Sequence, residues 1–247
     1  MRKAKISEVF TSIQGEGIYL GLPQLFVRFY GCNLSCDFCD TKPSSYETLT
    51  PDDLCVKMSE QREPYHSVSF TGGEPLLQAG FIKNFLRQYG SFYKKPVYLE
   101  TNGTLHRQLS GIIDYVDTIA MDIKLPSSTG SGSLWKKHER FLKVAKNKKI
   151  FIKAVITSET TTEDVMRLAQ LIKKAKMDII VVLQPVTPPE GGIKPLPLPA
   201  GKFTSPPGGE AVLKAKPERL KYFRRMLKKQ ARRVEIIPQF HKLMGIK

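Results

Sequence analysis

The stretch CNLSCDFCDT, residues 32–41, sets Cys32, Cys36 and Cys39 in the spacing C-x3-C-x2-C. Three thiolates so spaced can converge on one centre. With four cysteines in 247 residues, chance places such a triplet on the order of 0.001 times per chain. A tetrahedral zinc site would need a fourth ligand. The remaining thiol, Cys55, is expected on a helix beside Leu54 and Met58, where a buried cysteine acts as a small hydrophobe. Three ligands and an open position are better met by an iron–sulfur cube, which leaves one iron free to bind a ligand for activation. Three cysteines within eight residues is also the wrong distribution for a disulfide-stapled secreted fold.

Outward from the triplet, the chain alternates short apolar runs with longer segments of helical period. Strands are expected at Leu25–Tyr30, Ser67–Phe70, Pro96–Glu100, Thr118–Met121, Ile150–Ile156, Ile179–Leu183 and Val234–Ile237. Thr50-Pro51-Asp52-Asp53 marks a helix start, with a hydroxyl cap, a first-turn proline and acids near the positive end of the dipole. Ile82, Phe85, Leu86 and Tyr89 form an apolar face expected to stop at Gly90, and Val165, Leu168, Ala169 and Ile172 repeat the pattern. Repeated strand–helix units give an α/β fold with a parallel sheet or barrel. The segment from Val186 to Lys216 breaks the rhythm with seven of the 17 prolines and five of the 18 glycines, and reads as an inserted loop: a lid, a dimer arm or disordered chain. The chain reads as a single domain spanning residues 1–247, with this insert at about 186–216.

The polar clusters fall at carboxyl ends of the expected strands. Thr71-Gly72-Gly73-Glu74-Pro75 follows the second, Glu100-Thr101-Asn102-Gly103 ends the third, Asp122-Ile123-Lys124 the fourth and Gln184-Pro185 the sixth. In a parallel barrel those ends share one face, where active sites are built from the loops. Lys153, inside an apolar strand, could point into the barrel or emerge at an edge. His66, His106 and His138 carry no motif and are expected on the surface or in loops.

The formal charge of +16 and pI near 9.7 raise the possibility of a polyanion partner, since cationic surface attracts phosphate. The densest basic run, Arg219–Arg233, also places Leu220, Phe223 and Leu227 at helical spacing, as a solvated face over a core stripe would. No apolar run approaches the roughly 18 residues needed to cross a bilayer, and the amino-terminal residues lack the apolar segment of a secretory signal. The expected location is the cytoplasm, with no membrane partner.

The triplet, with Phe38 before its last cysteine, resembles the hallmark of the radical S-adenosylmethionine superfamily. Phe10–Gly17 (FTSIQGEG), 26–33 (FVRFYGCN), Asp40-Thr41 and the tail Pro238-Gln239-Phe240-His241-Lys242 resemble the 7-carboxy-7-deazaguanine synthase family within it. The resemblance covers most of the chain except the insert at 186–216. It implies a partial, open TIM-like β/α barrel of about six parallel strands. It further implies a ring contraction of 6-carboxy-5,6,7,8-tetrahydropterin to 7-carboxy-7-deazaguanine with loss of ammonia, a step of 7-deazapurine (queuosine or archaeosine) biosynthesis.

On that resemblance Cys32, Cys36 and Cys39 hold a 4Fe-4S cluster whose free iron chelates S-adenosylmethionine. Phe38, Cys39, Asp40, Gly73, Asp122, Ile123, Lys124 and Gln184 line the S-adenosylmethionine site, and Thr41 is a magnesium ligand. Ile13, Gln14, Gly15, Glu16, Arg28 and Thr71 contact the pterin. Arg28 pairs with its carboxylate through two parallel charge-assisted bonds. Glu74, Glu100 and Asn102 lie at or near the site, and His241 either packs or caps in the tail or approaches the site. Hydrogen abstraction belongs to the cofactor, so no side chain is expected to act as an acid, base or nucleophile. An electron donor such as flavodoxin or ferredoxin and a second copy in a homodimer are the implied partners, and nucleic acid is not. Two other readings compete: a different radical S-adenosylmethionine enzyme, such as a glycyl-radical activase, and a zinc-stabilised basic RNA-binding module.

Overall fold

The computed structural model describes residues 2–39, 43–130, 132–186 and 216–245. A nine-stranded sheet in the order β3-β1-β2-β4-β5-β6-β7-β8-β9 organises it. Seven strands run parallel in sequence order: β2 (Pro23–Phe29), β4 (Ser67–Gly72), β5 (Val97–Thr101), β6 (Thr118–Ile123), β7 (Lys149–Ile156), β8 (Ile180–Pro185) and β9 (Arg233–Ile236). Each occupies a run expected from the apolar pattern. The sheet stays open, ending at β3 and β9. Seven parallel strands replace the expected count of about six.

Two further strands were not legible as strands. β1 (Ala4–Ile13) lies antiparallel to β2, and β3 (Glu47–Leu49) pairs antiparallel with β1. After Ala4 and Ile6, β1 buries its residues only partly, so its sequence lacks the apolar content that marked the interior strands.

Helices α1 (Pro51–Ser59), α2 (Ala79–Tyr93), α3 (His106–Ser110), α4 (Pro126–Thr129), α5 (Trp135–Val144), α6 (Thr162–Ala175), α7 (Pro217–Leu227) and α8 (Phe240–Met244) complete the order. α1 starts with a reciprocal capping box. Thr50 N–H donates to Asp53 at 2.8 Å, and Asp53 N–H donates to the Thr50 hydroxyl at 3.2 Å. α2 does not stop at Gly90. Tyr93 stacks on Phe85 and donates its hydroxyl to the Cys55 carbonyl, so packing holds the last turn and Lys94 takes the left-handed cap at φ 47°. Cys55 itself packs partly buried against the core from α1, as expected. In α7 Leu220, Phe223 and Leu227 are buried, confirming a basic face over a core stripe. No described helix is long and apolar enough to cross a membrane. The proline-rich insert lies outside the described residues, apart from its ends Val186 and Lys216.

Strand alternation divides the side chains between two faces. Ile119, Met121 and Ile123 of β6 join Ile150, Ile152, Ala154 and Ile156 of β7 in the main core, whereas Ala120 and Phe151 face the concave side. Residues 14–22 plug the amino-terminal end of that concave face. The Tyr19 hydroxyl lies 3.0 Å from Thr118 Oγ1 and accepts from Lys149 Nζ at 3.0 Å. Gly17 has φ +67°, and a Cβ there would sit 2.7 Å from the Phe151 ring, so only glycine fits the turn. With the floor closed, the cavity opens at the carboxyl ends.

Candidate active site

A cavity of about 540 Å³ is lined by residues from β1, β2 and the carboxyl ends of β4 to β8. Cys32, Cys36 and Cys39 lie on the loop after β2 and line it, Cys36 buried and the other two exposed. The loop is laced to its neighbour by backbone bonds: Gly73 N–H donates to the Phe29 carbonyl at 3.1 Å and Glu74 N–H to the Gly31 carbonyl at 2.8 Å. A Cβ on Gly72, at φ +131°, would collide with Phe29, and one on Gly73 with the Gly31 carbonyl. The glycine pair lets the Phe29–Gly31 backbone at the root of the thiol loop approach closely while still lining the cavity.

Glu74 is wholly buried and acts as a tie. Its carboxylate accepts from Leu76 N–H at 3.0 Å, the Thr101 hydroxyl at 2.8 Å and Asn102 N–H at 2.8 Å. Burial pushes its carboxyl up to about 7, against the opposing pull of those bonds. Asn102 donates to Asn33 at 2.9 Å and approaches Cys32 Sγ at 3.9 Å. Beneath it, His138 corrects the surface expectation. It is fully buried on α5 with Nε2 3.2 Å from the Asn102 carbonyl, and burial pushes its imidazole down to about 4.

Lys124 pairs with Asp122 at 2.8 Å and sits 5.3 Å from the Phe38 ring centre. Burial alone would lower the Lys124 pKa, but Asp122 and Cys36 beside it raise it overall. Burial raises the Cys32 and Cys36 thiols, with Lys124 opposing both shifts. Ile123 turns its side chain into the main core and does not line the cavity, as the alternation of β6 requires.

The residues fit the expected groups. Three soft thiol donors face one cavity, the ligand type that iron–sulfur clusters take. Among the described residues no group of His, Cys, Asp or Glu is arranged to hold a single metal ion; a cube asks each thiol for a separate iron. Asp122 Oδ1 and Gln184 Oε1 are buried acceptors without hydrogen-bond partners among the described residues, and both residues line the cavity. Acceptors left in that state suit a bound molecule carrying amino and hydroxyl donors. Asp40 and Thr41 lie outside the described residues.

Ile13, Gln14, Gly15, Glu16, Arg28 and Thr71 line the same cavity. Gln14 is largely committed to folding its loop, donating to Gln24 at 2.9 Å and accepting from Glu16 N–H at 3.1 Å. Gly15 meets the tail: its carbonyl accepts from Phe240 N–H at 3.0 Å, and a Cβ on it would sit 2.6 Å from that of His241. His241 therefore approaches the site, with Nδ1 3.7 Å from Glu16. Thr71 donates to Glu100 at 3.4 Å.

Arg28 Nε donates to Glu8 at 2.7 Å, and its guanidinium carbon lies 5.5 Å from the Phe10 ring centre. Sequence reasoning missed Glu8 and gave no role to Lys153. The alternation of β1 pairs Glu8 with Arg28 across the ladder, but that signal needs β1 to be known as a strand.

The radical SAM superfamily profile matches residues 26–190. A 7-carboxy-7-deazaguanine synthase of Geobacter sulfurreducens is 36% identical, covering 98% of this chain and 97% of its own. One of Archaeoglobus fulgidus is 35% identical over 74% of this chain and 84% of its own. Among solved structures, QueE from Escherichia coli superposes with TM-score 0.52 at 20% identity, covering 73% of this chain and 84% of that one. A radical SAM methyltransferase from Sphaerobacter thermophilus reaches TM-score 0.57 at 15% identity, covering 88% and 66%. The two structures speak for the fold, and the full-length sequence match speaks for the branch. The chain belongs to the radical SAM superfamily and, within it, to the 7-carboxy-7-deazaguanine synthase family.

Proposed function

We propose that this protein is a 7-carboxy-7-deazaguanine synthase, a carbon–nitrogen lyase that contracts the ring of 6-carboxy-5,6,7,8-tetrahydropterin with loss of ammonia. The observation that carries the reading is that one cavity holds both the three-thiol loop and the stretch 13–16 with Arg28. A radical source and a carboxylated heterocycle could therefore meet there. When bound, the 4Fe-4S cluster and S-adenosylmethionine supply a hydrogen-abstracting radical.

Cys32, Cys36 and Cys39 would hold the cluster. Phe38, Cys39, Asp40, Gly73, Asp122, Lys124 and Gln184 would line the S-adenosylmethionine site, with Ile123 contributing through its backbone alone. Lys124, paired with Asp122, brings a cation to the thiol loop and offsets part of the negative charge that three thiolates create there. Ile13, Gln14, Gly15, Glu16 and Thr71 would read the pterin, and Arg28 its carboxylate. Because Glu8 takes Nε, the terminal nitrogens of Arg28 remain as the fork that a carboxylate fits. The plug at 14–22 closes the floor against water. Thr41 would contribute one oxygen to magnesium, a cation that keeps several waters and draws further oxygens from its substrate. The reading includes a one-electron protein donor such as flavodoxin or ferredoxin, and a homodimer.

The test is anaerobic reconstitution. The cluster-loaded protein should be brown with about four irons per chain. Given reductant, magnesium, S-adenosylmethionine and the carboxytetrahydropterin, it should yield the deazapurine acid without consuming S-adenosylmethionine in step with product. A loaded sample that makes no such acid refutes the assignment.

A further inference from the structure

Lys153 is buried at 4% exposure in the middle of β7, on the concave face with Phe151. Its ammonium contacts Glu16 from the floor loop and Glu100 from β5, the latter at 2.6 Å, and lies 3.7 Å from Asp122 of β6. Glu100 also accepts from Thr71 and Glu16 from Gln239. Asp122 has a separate partner in Lys124. Lys153 thus stands among three carboxylates and bridges Glu16 to Glu100. A cation this buried is costly without such partners, and they hold its pKa well above the ordinary lysine value against the pull of burial.

We propose that Lys153 is a positioning residue that clamps Glu16 and Glu100 side by side on the cavity wall as ionised acceptors for the N–H donors of a substrate whose carboxylate is held by Arg28. The inference rests on the function proposed above and adds a determinant of its substrate recognition. Other titratable groups around the clamp are Asp122 from β6 and Lys124 just after it, Tyr98 from β5, Tyr19 from the floor, and His241 and Lys242 from the tail.

The test compares Lys153→Met and Lys153→Arg with wild type as anaerobic, cluster-loaded proteins. Lys153→Met should keep cluster absorbance and raise the KM for 6-carboxy-5,6,7,8-tetrahydropterin roughly 10- to 100-fold, the worth of one or two charge-assisted bonds. Its affinity for S-adenosylmethionine should change less, and Lys153→Arg should recover part of the loss. Without the ammonium between them, the ionised carboxylates of Glu16 and Glu100 repel each other. In Lys153→Met, pterin use should therefore rise with pH between about pH 6 and 8 while the melting temperature falls through the same ionisation.

A wild-type KM in Lys153→Met, or a loss independent of pH, overturns the proposal. If Lys153→Met does not fold, the double variant Lys153→Met/Glu100→Gln, with one charge fewer, carries the test. It should show the raised KM without the pH trends, and a wild-type KM in it overturns the clamp. If wild type yields no deazapurine acid, the assigned function fails separately. Lys153 is then judged on melting alone, where a stability deficit that grows with pH supports the clamp and a constant one rejects it.

Discussion

Arg28 and Gly73 show how much a single side chain, or its absence, decides in this site. Arg28 is anchored at Nε by Glu8 at 2.7 Å, so its orientation is fixed before any ligand arrives. Lysine keeps the charge but has neither the second anchor nor the planar fork. Arg28→Lys should raise the pterin KM by roughly tenfold or more while cluster absorbance stays at the wild-type level. Steady-state kinetics and the visible spectrum check both halves, and a loss of cluster would contradict the role. Gly73 works by lacking a side chain, since a Cβ would strike the Gly31 carbonyl at the root of the thiol loop. Backbone cannot give way as a flexible side chain can. Gly73→Ala should cost about 1–3 kcal/mol of stability and lower the iron bound per chain, measured by melting and metal analysis. Unchanged iron loading would show that the loop tolerates displacement.

Interior elements announced themselves and marginal ones did not. Strands β4 to β8 are largely buried, with Ser67, Ser69 and Lys153 as polar exceptions inside them, and β4, β5, β6 and β8 carry polar clusters toward their carboxyl ends, so the runs and the site at their tips were readable together. β1 carries a charged and polar face because it borders the cavity, and with β1 unrecognised the partnership of Glu8 with Arg28 stayed hidden. The glycine rule misplaced the end of α2, because a local stop signal is weaker than the packing of Tyr93 on Phe85. Gly90 therefore sits within a helix, where a Cβ would meet nothing within 4 Å. Gly90→Ala should stabilise the protein by about 0.5–1 kcal/mol through the unfolded chain's lost freedom, read as a higher melting temperature with unchanged activity.

Across the whole molecule, the site gathers residues from Glu8 to Lys242, a span that no local pattern could join. The motifs named many of the cavity's polar groups, whereas the couplings among them, such as the tail against Gly15, arise only when the sheet curls. His138 has no motif because its role is defined by depth alone. It lies against the Asn102 carbonyl, and its Nδ1 has no partner among the described residues. Protonating that nitrogen would place an uncompensated charge in the interior, which is why its pKa falls to about 4. The unfolded chain binds this proton near pH 6.5, so the folded state gains stability above that value and loses it as pH falls toward 4. The full swing is about 3 kcal/mol, of which about 2 is lost between pH 7.5 and 5. His138→Gln retains a donor for the Asn102 carbonyl but cannot titrate. At pH 7.5 it should be somewhat less stable than wild type, and between pH 7.5 and 5 its melting temperature should decline by about 4–8 °C less than wild type does. Parallel melting curves for the two proteins across that range would mean that the acid sensitivity of the fold has its source elsewhere.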